Sequence, residues 1–248
     1  MSTGTRSLRA NYLRRFTSIY DPMTCTVTDV SEWLSSHPKW SANTRASARG
    51  AVTSLFTWMR KMRHRLDDPA ADTHVIKVGQ RPPKPCPESV LTEALGKADE
   101  RTRVAIMLGA YAGLRRAEIA NLHADHIDTE TMTLRVTGKG DKTRLIPIAQ
   151  ALEPYMVTAK GRGGYLFPNG HGNAVTPTTI GRMVSPLLGQ GNSTHALRHR
   201  FATKVYSGSH NLRAVQELLG HSSVATTQRY TAVSDEERRE AVAVLAAM

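Results

Sequence analysis

Apolar positions recur along this chain with two different periods, and the switch between them marks its organisation. Val30, Trp33 and Leu34 predict a short helix, with Thr28-Asp29 or Ser31 as its cap. From Thr44 to about Arg65 the spacing of Ala48, Val52, Leu55, Phe56 and Met59 predicts a longer one, which Ser41 or Asn43 can cap. Val104, Met107, Leu108 and Tyr111 form a further helical stripe leading to Gly113. Between Asp125 and Ile148 the period drops to two, with Met132, Leu134 and Val136 on one face and Gly138 to Lys142 as the turn of a hairpin. Helical spacing then returns. Thr176 with Pro177 opens one helix, and Thr194 or Ser193 caps another that Gly208 is expected to end. Asn211 starts a third, whose Leu212, Val215, Leu218 and Leu219 form a stripe stopped by Gly220. Ser234 and Glu237 make a capping box for a last helix over 234–247. The expected fold class is mainly α with a small antiparallel β-sheet, an α+β arrangement.

One stretch interrupts both periods. Residues 79–87 read G-Q-R-P-P-K-P-C-P, and four prolines in nine residues exclude helix and central strand. This predicts an all-helical domain over 1–78, a linker over 79–87 and a second domain over 88–248. Trp33, Trp40 and Trp58 lie among apolar residues of the first domain and are expected in its core, not as base-stacking groups. The longest apolar run, Val104 to Leu114, is too short to span a bilayer, and no apolar segment follows Arg6, Arg9, Arg14 and Arg15. A cytoplasmic protein is expected. Cys25 and Cys86 match no metal-ligand spacing and receive no role.

Charge narrows the class of partner. The chain carries +12, with 12 Lys and Arg against 6 Asp and Glu over residues 1–80 and 21 against 15 over the remainder. A basic surface on both sides of a linker suits a polyanion gripped from two sides, because neutralised phosphates release counterions. In the predicted long helix and just beyond it, Arg45, Arg49, Arg60, Lys61, Arg63 and Arg65 meet no acid before Asp67, giving a candidate DNA-binding face. The early arginines read either as an arm along DNA or as a solvated tail. Arg outnumbers Lys 24 to 9, which fits phosphate recognition and equally fits a genome-wide composition bias.

The densest chemistry lies between residues 194 and 230. His195 and Arg198 are three apart and share a helix face, His221 follows the helix-stopping Gly220, and Tyr230 comes nine residues later. H-A-L-R-H, L-L-G-H-S-S and T-T-Q-R-Y resemble the second half of the active site of tyrosine recombinases, the phage integrase and Xer family. The resemblance requires an upstream Gly-Leu-Arg with an acid three residues on, and a lysine in a β-hairpin. Both are present, as A-G-L-R-R-A-E-I and V-T-G-K-G-D-K-T-R-L-I-P-I, in the right order.

The resemblance implies a core-binding first domain and a catalytic second domain that cleaves and rejoins DNA through a 3′-phosphotyrosyl intermediate, integrating or excising DNA at short core-type sites. Tyr230 is then the nucleophile, Arg115 and Arg198 stabilise the phosphorane, and Glu118 orients Arg115. His195 takes the tyrosine proton, His221 hydrogen-bonds the phosphate, and Lys139 protonates the leaving 5′-oxygen. Arg116 is the register competitor of Arg115, and Lys142 that of Lys139. No metal and no cofactor is expected. The implied partners are double-stranded DNA and further copies of the chain, dimers on each site and a homotetramer on two duplexes, with a directionality factor as an optional addition. The short first domain leaves no room for an arm-type DNA-binding domain beside a core-binding one. Three alternatives stay open: an Xer-like resolvase, a non-catalytic DNA-binding regulator, and a type IB topoisomerase. A zinc site from His195, His199 and His221 is disfavoured by the absence of a His-Glu-x-x-His motif and by the cation at Arg198.

Overall fold

A computed structural model describes residues 3–79, 82–138, 142–189 and 191–220. It divides into two compact units, Met1–Arg81 and Pro82–Met248, the division falling within the proline-rich stretch.

The first unit is built from α1 (Thr3–Thr17), α2 (Val27–Ser35) and α3 (Ala42–Lys61). The arginines expected in an arm or a tail belong instead to α1, which is helical because Tyr12 and Phe16, four apart, pack into the core of this unit. Phe16 meets Trp33 and Phe56 edge-on, at ring separations of 5.2 and 6.2 Å. Capping fixes where the other two helices start: Thr26 and Asp29 form a capping box at α2, and Ser41 accepts from the Thr44 N–H at α3. Helix α2 therefore begins before the caps expected at residues 28–31. Helix α3 stops at Lys61, short of Arg65, and Arg63 adopts a left-handed φ of 60° beyond it. Trp33 is buried and Trp40 partly so, but Trp58 is 51% exposed and corrects the expectation of a core residue. The reason is angular: the inward stripe ends on Phe56 and Met59, and Trp58 stands one position, about 100°, off Met59.

The second unit opens with α4 (Glu88–Lys97) and α5 (Glu100–Tyr111), followed by the short α6 (Arg116–Ala120). Strands β1 (Ile127–Asp128), β2 (Thr133–Thr137) and β3 (Thr143–Pro147) form an antiparallel sheet in that order, and α7 (Glu153–Arg162) and α8 (Pro177–Leu188) follow. The described chain ends in α9 (Thr194–Ser209) and α10 (Leu212–Leu219). In the hairpin Leu134 pairs with Ile146 and Val136 with Arg144, so both pairs face the core while Arg135 and Leu145 face away. Met132 precedes the strand in a left-handed conformation (φ 49°) and only partly joins the core.

The position of the site depends on how closely α5 approaches α9. Gly109 and Gly113 are four apart, as are Leu197 and Phe201. A Cβ on Gly109 would lie 3.0 Å from Leu197, and one on Gly113 would lie 2.4 Å from the Phe201 ring. Gly113 also terminates α5 with a φ of 64°, and the Leu114 N–H bonds back to the Leu108 carbonyl. Gly208 does not end α9. The helix runs on to Ser209 and stops at His210, which takes the left-handed cap (φ 47°), with Asn211 already capping α10. A glycine in a last turn is tolerated at a cost of about 1 kcal/mol.

Candidate active site

The Gly113 turn delivers the chain directly into Arg115, the residue preceding α6. Glu118, at the third position of that helix, turns back to accept from the Arg115 backbone N–H (2.9 Å) and from its guanidinium Nη1 (2.8 Å). This satisfies an orphan donor at the helix start and orients the arginine side chain in one arrangement. Glu118 is only 5% exposed in its side chain, whereas Arg115 is 39% exposed, so the carboxylate is the buried anchor and the guanidinium the accessible end.

Two further guanidiniums meet at the same carboxylate. Arg144 from β3 grips both oxygens, Nη1 to Oε1 at 3.0 Å and Nη2 to Oε2 at 2.8 Å. Arg198 from α9 is fully buried and stands 3.8 Å from Oε2. Its Nη1 donates to the Gly113 carbonyl (2.6 Å) and its Nη2 to the Leu219 carbonyl (2.5 Å). Burial acts to raise the Glu118 pKa. The hydrogen bonds and charge of Arg144, then those of Arg115, outweigh it and hold the carboxyl below the usual glutamate value. It is ionised at neutral pH.

Of the sequence-predicted catalytic residues, the structure thus brings together Arg115, Glu118 and Arg198. His195 lies in the first turn of α9, after the Ser193 cap, three residues before Arg198 and exposed. Its ring centroid is 4.2 Å from that of His199. Lys139, His221 and Tyr230 lie outside the described residues, as does the last helix expected over 234–247. The register competitor Arg116 is exposed, and a Cβ on Gly181 of α8 would be 3.8 Å from its Nη1.

The candidate DNA-binding face divides by what each cation touches. Arg65 is turned inward: it donates to the carbonyls of Pro22 (2.8 Å) and Cys25 (2.9 Å) and pairs with Asp67 at 2.7 Å. Arg49 is similarly occupied, by the Thr73 hydroxyl and the carbonyls of Ala70 and Thr73. Both therefore correct the reading of a uniform basic face, because these guanidiniums are engaged within the first unit by carbonyls, a hydroxyl and, for Arg65, a carboxylate. Arg45, partly buried, donates to the His37 carbonyl (3.3 Å). Arg60, Lys61 and Arg63 are exposed, beside Trp58.

Two arginines that the sequence pattern did not single out organise the site. Arg144 is one. The other is Arg200, whose guanidinium pairs twice with Glu88 at the start of α4 (3.0 and 2.9 Å), donates to the Ala110 carbonyl (3.0 Å) and lies 5.2 Å over the Tyr111 ring. With the Cys86 N–H bonded to the Ala196 carbonyl (3.0 Å), it fastens the beginning of this unit to α9.

A model of the phage integrase family matches residues 88–237. The chain belongs to the phage integrase family. Among curated relatives of this integrase-family chain, tyrosine recombinase XerC of Pseudomonas putida is 32% identical over 212 residues, covering 79% of this chain and 71% of the relative. The integrase from mycobacterium phage Brujita is a solved structure 30% identical to this one, with a TM-score of 0.54, covering 97% of this chain and 85% of that one. The Tn1549 transposon integrase, solved with transposon right end DNA, shares the fold at a TM-score of 0.77 and 20% identity, over 99% of this chain and 95% of that one. This integrase-family chain is an enzyme of the site-specific tyrosine recombinase type.

Proposed function

We propose that this enzyme binds duplex DNA at short core-type sites and cleaves and rejoins it through a phosphotyrosyl intermediate on Tyr230. The observation that carries this reading is the buried carboxylate of Glu118 surrounded by three guanidiniums, of which Arg115 is the accessible one. A concentration of fixed positive charge in a low-dielectric setting suits a phosphodiester whose charge grows in the transition state. In this chemistry the Tyr230 oxygen attacks phosphorus, the 5′-oxygen leaves with a proton from Lys139, and His195 accepts the tyrosine proton. Arg115 and Arg198 stabilise the phosphorane, and His221 hydrogen-bonds it. A 5′-hydroxyl from a second duplex then reverses the step, the ester energy being kept in the phosphotyrosine, so no nucleotide cofactor is consumed.

Phage integration is the task that we favour over resolution of replicated DNA, with four copies acting on two duplexes. The support is the span of the match: the phage integrase is 30% identical across 97% of this chain, and the XerC relative, at 32%, covers 79%. The exposure of Arg60, Lys61 and Arg63 in the first unit supports a role for them in meeting phosphates. Sequencing the DNA covalently trapped on the protein in cells tests both parts. Adducts at one recurrent sequence shared by a phage and a bacterial chromosome support the reading, and a total lack of protein-linked DNA refutes it.

A further inference from the structure

Glu118 presents an electrostatic difficulty that the structure resolves through Arg144. A carboxylate that holds Arg115 by a single pair also cancels its charge, which would leave a well-oriented guanidinium with little to offer an anion. Arg144 meets both oxygens of the same carboxylate, while Arg115 takes one oxygen with its side chain and the other with its backbone N–H. Three guanidiniums against one carboxylate leave the cluster at a net +2, and at +1 once Arg144 is removed. We propose that Arg144 is a positioning residue whose bidentate hold on Glu118 neutralises that carboxylate, so that Glu118 orients Arg115 without quenching it.

The same guanidinium sets the approach of two neighbouring segments. Its Nε donates to the Leu218 carbonyl at 2.7 Å, which ties down the last turn of α10. Gly220, with a φ of 62°, passes so close that a Cβ there would sit 3.0 Å from Arg144 Cδ and 3.1 Å from Nη1. At the base of the hairpin turn, a Cβ on Gly138 would be 3.5 Å from Glu118 Oε1 and 3.6 Å from Arg144 Nη1. In sequence, Gly138 precedes Lys139 and Gly220 precedes His221, so the strand arginine lies beside the residue before each of them. Arg144 touches no substrate in this role. A lysine in its place keeps the charge but cannot span two carboxylate oxygens and a carbonyl at once.

The inference rests on the phosphotyrosyl reading, and two measurements separate them. In single-turnover cleavage of a nicked suicide substrate, Arg144→Gln is expected to lose about 10- to 100-fold in rate, as for other groups that orient a reacting residue. Adding Glu118→Gln to that variant should recover about tenfold, because the negative charge that draws on Arg115 is then removed. A purely structural role predicts the opposite, a double variant no better than the single one. Arg144→Lys, expected to fall between wild type and Arg144→Gln, serves if the glutamine variant is unfolded at the assay temperature. The second measurement needs no DNA site: the rise in melting temperature with inorganic phosphate, compared with chloride at equal ionic strength. It should shrink in Arg144→Gln, return in the double variant, and be smallest in Arg115→Gln. Cleavage within twofold of wild type in Arg144→Gln, or a phosphate response unchanged by it, overturns the inference; wild-type protein that never cleaves but shows the expected phosphate pattern overturns only the phosphotyrosyl reading.

Discussion

Replacing Gly113 by alanine tests how the helix crossing sets the site. Two costs are expected, and both follow from the geometry of one turn. The residue has a φ of 64°, a conformation that costs an L side chain about 1–2 kcal/mol. The new Cβ would lie 2.4 Å from Phe201 Cδ1 and 2.9 Å from Cε1, and relieving such overlap in a packed core costs roughly 1–3 kcal/mol. The sum is about 2–5 kcal/mol, which for a domain of this size lowers the melting temperature by roughly 4–20 °C at 2–4 °C per kcal/mol. Activity should fall further than stability, because the Gly113 carbonyl that accepts from Arg198 moves with the turn. All three tryptophans lie in the first unit, so melting is best followed by far-UV circular dichroism, not by their fluorescence. Combining Gly113→Ala with Phe201→Leu should cost less than the two changes separately, with a coupling above about 1 kcal/mol from relieved overlap. Strict additivity of the two, or a Gly113→Ala protein that melts within 2 °C of wild type and cleaves normally, would refute the close-crossing argument.

Other outcomes follow from the same geometry. Neutralising Arg60, Lys61 and Arg63 together should leave stability unchanged and reduce the salt dependence of DNA binding by a slope of about 0.9 for each phosphate that these cations neutralise in the wild type, as measured by fluorescence anisotropy. Arg65→Ala should instead destabilise the first unit by about 1–3 kcal/mol in urea titrations, since it strands the Pro22 and Cys25 carbonyls. Glu118 has a folded pKa below its unfolded value, so its ionised form stabilises the fold above the unfolded pKa, and that contribution is lost as pH falls through the folded one. The stability gap between wild type and Glu118→Gln should accordingly be full at pH 7 and close on acidification, a gap independent of pH being the contrary result.

Much of this architecture was legible because the signals were local. Helix starts at Ser41, Thr176 and Asn211, the hairpin, and the stops at Gly113 and Gly220 each depend on a cap, a period or a left-handed residue within a few positions. The pairing of Arg115 with Glu118 follows from three-residue spacing at a helix start. What was missed depends on partners far away in sequence. Arg65 looks like one more cation in a basic run, yet its ligands lie 40 and 43 residues earlier. Arg144 reaches Leu218, 74 residues on, and Arg200 reaches Glu88, 112 residues back. A signal for Arg144 did exist: with Leu134 and Val136 facing inward, antiparallel pairing across the turn puts Arg144 on the same buried face as Ile146, where a charge needs a partner. For Trp58, composition suggested burial, and only its angular offset from the stripe argued against it.

The claim on which the rest depends is that Tyr230 forms a covalent bond to DNA. Wild type and Tyr230→Phe can be incubated, with EDTA present throughout, with a suicide substrate nicked beside the site recovered by adduct sequencing, then resolved on denaturing gels. A protein-linked DNA species is expected for wild type despite the chelator, since guanidinium and ammonium groups supply the positive charge. Tyr230→Phe should bind DNA with the same affinity but form no linked species, because only the nucleophilic oxygen is lost. A linked species of normal yield in Tyr230→Phe, or one in wild type that appears only after a divalent ion is restored, would contradict it.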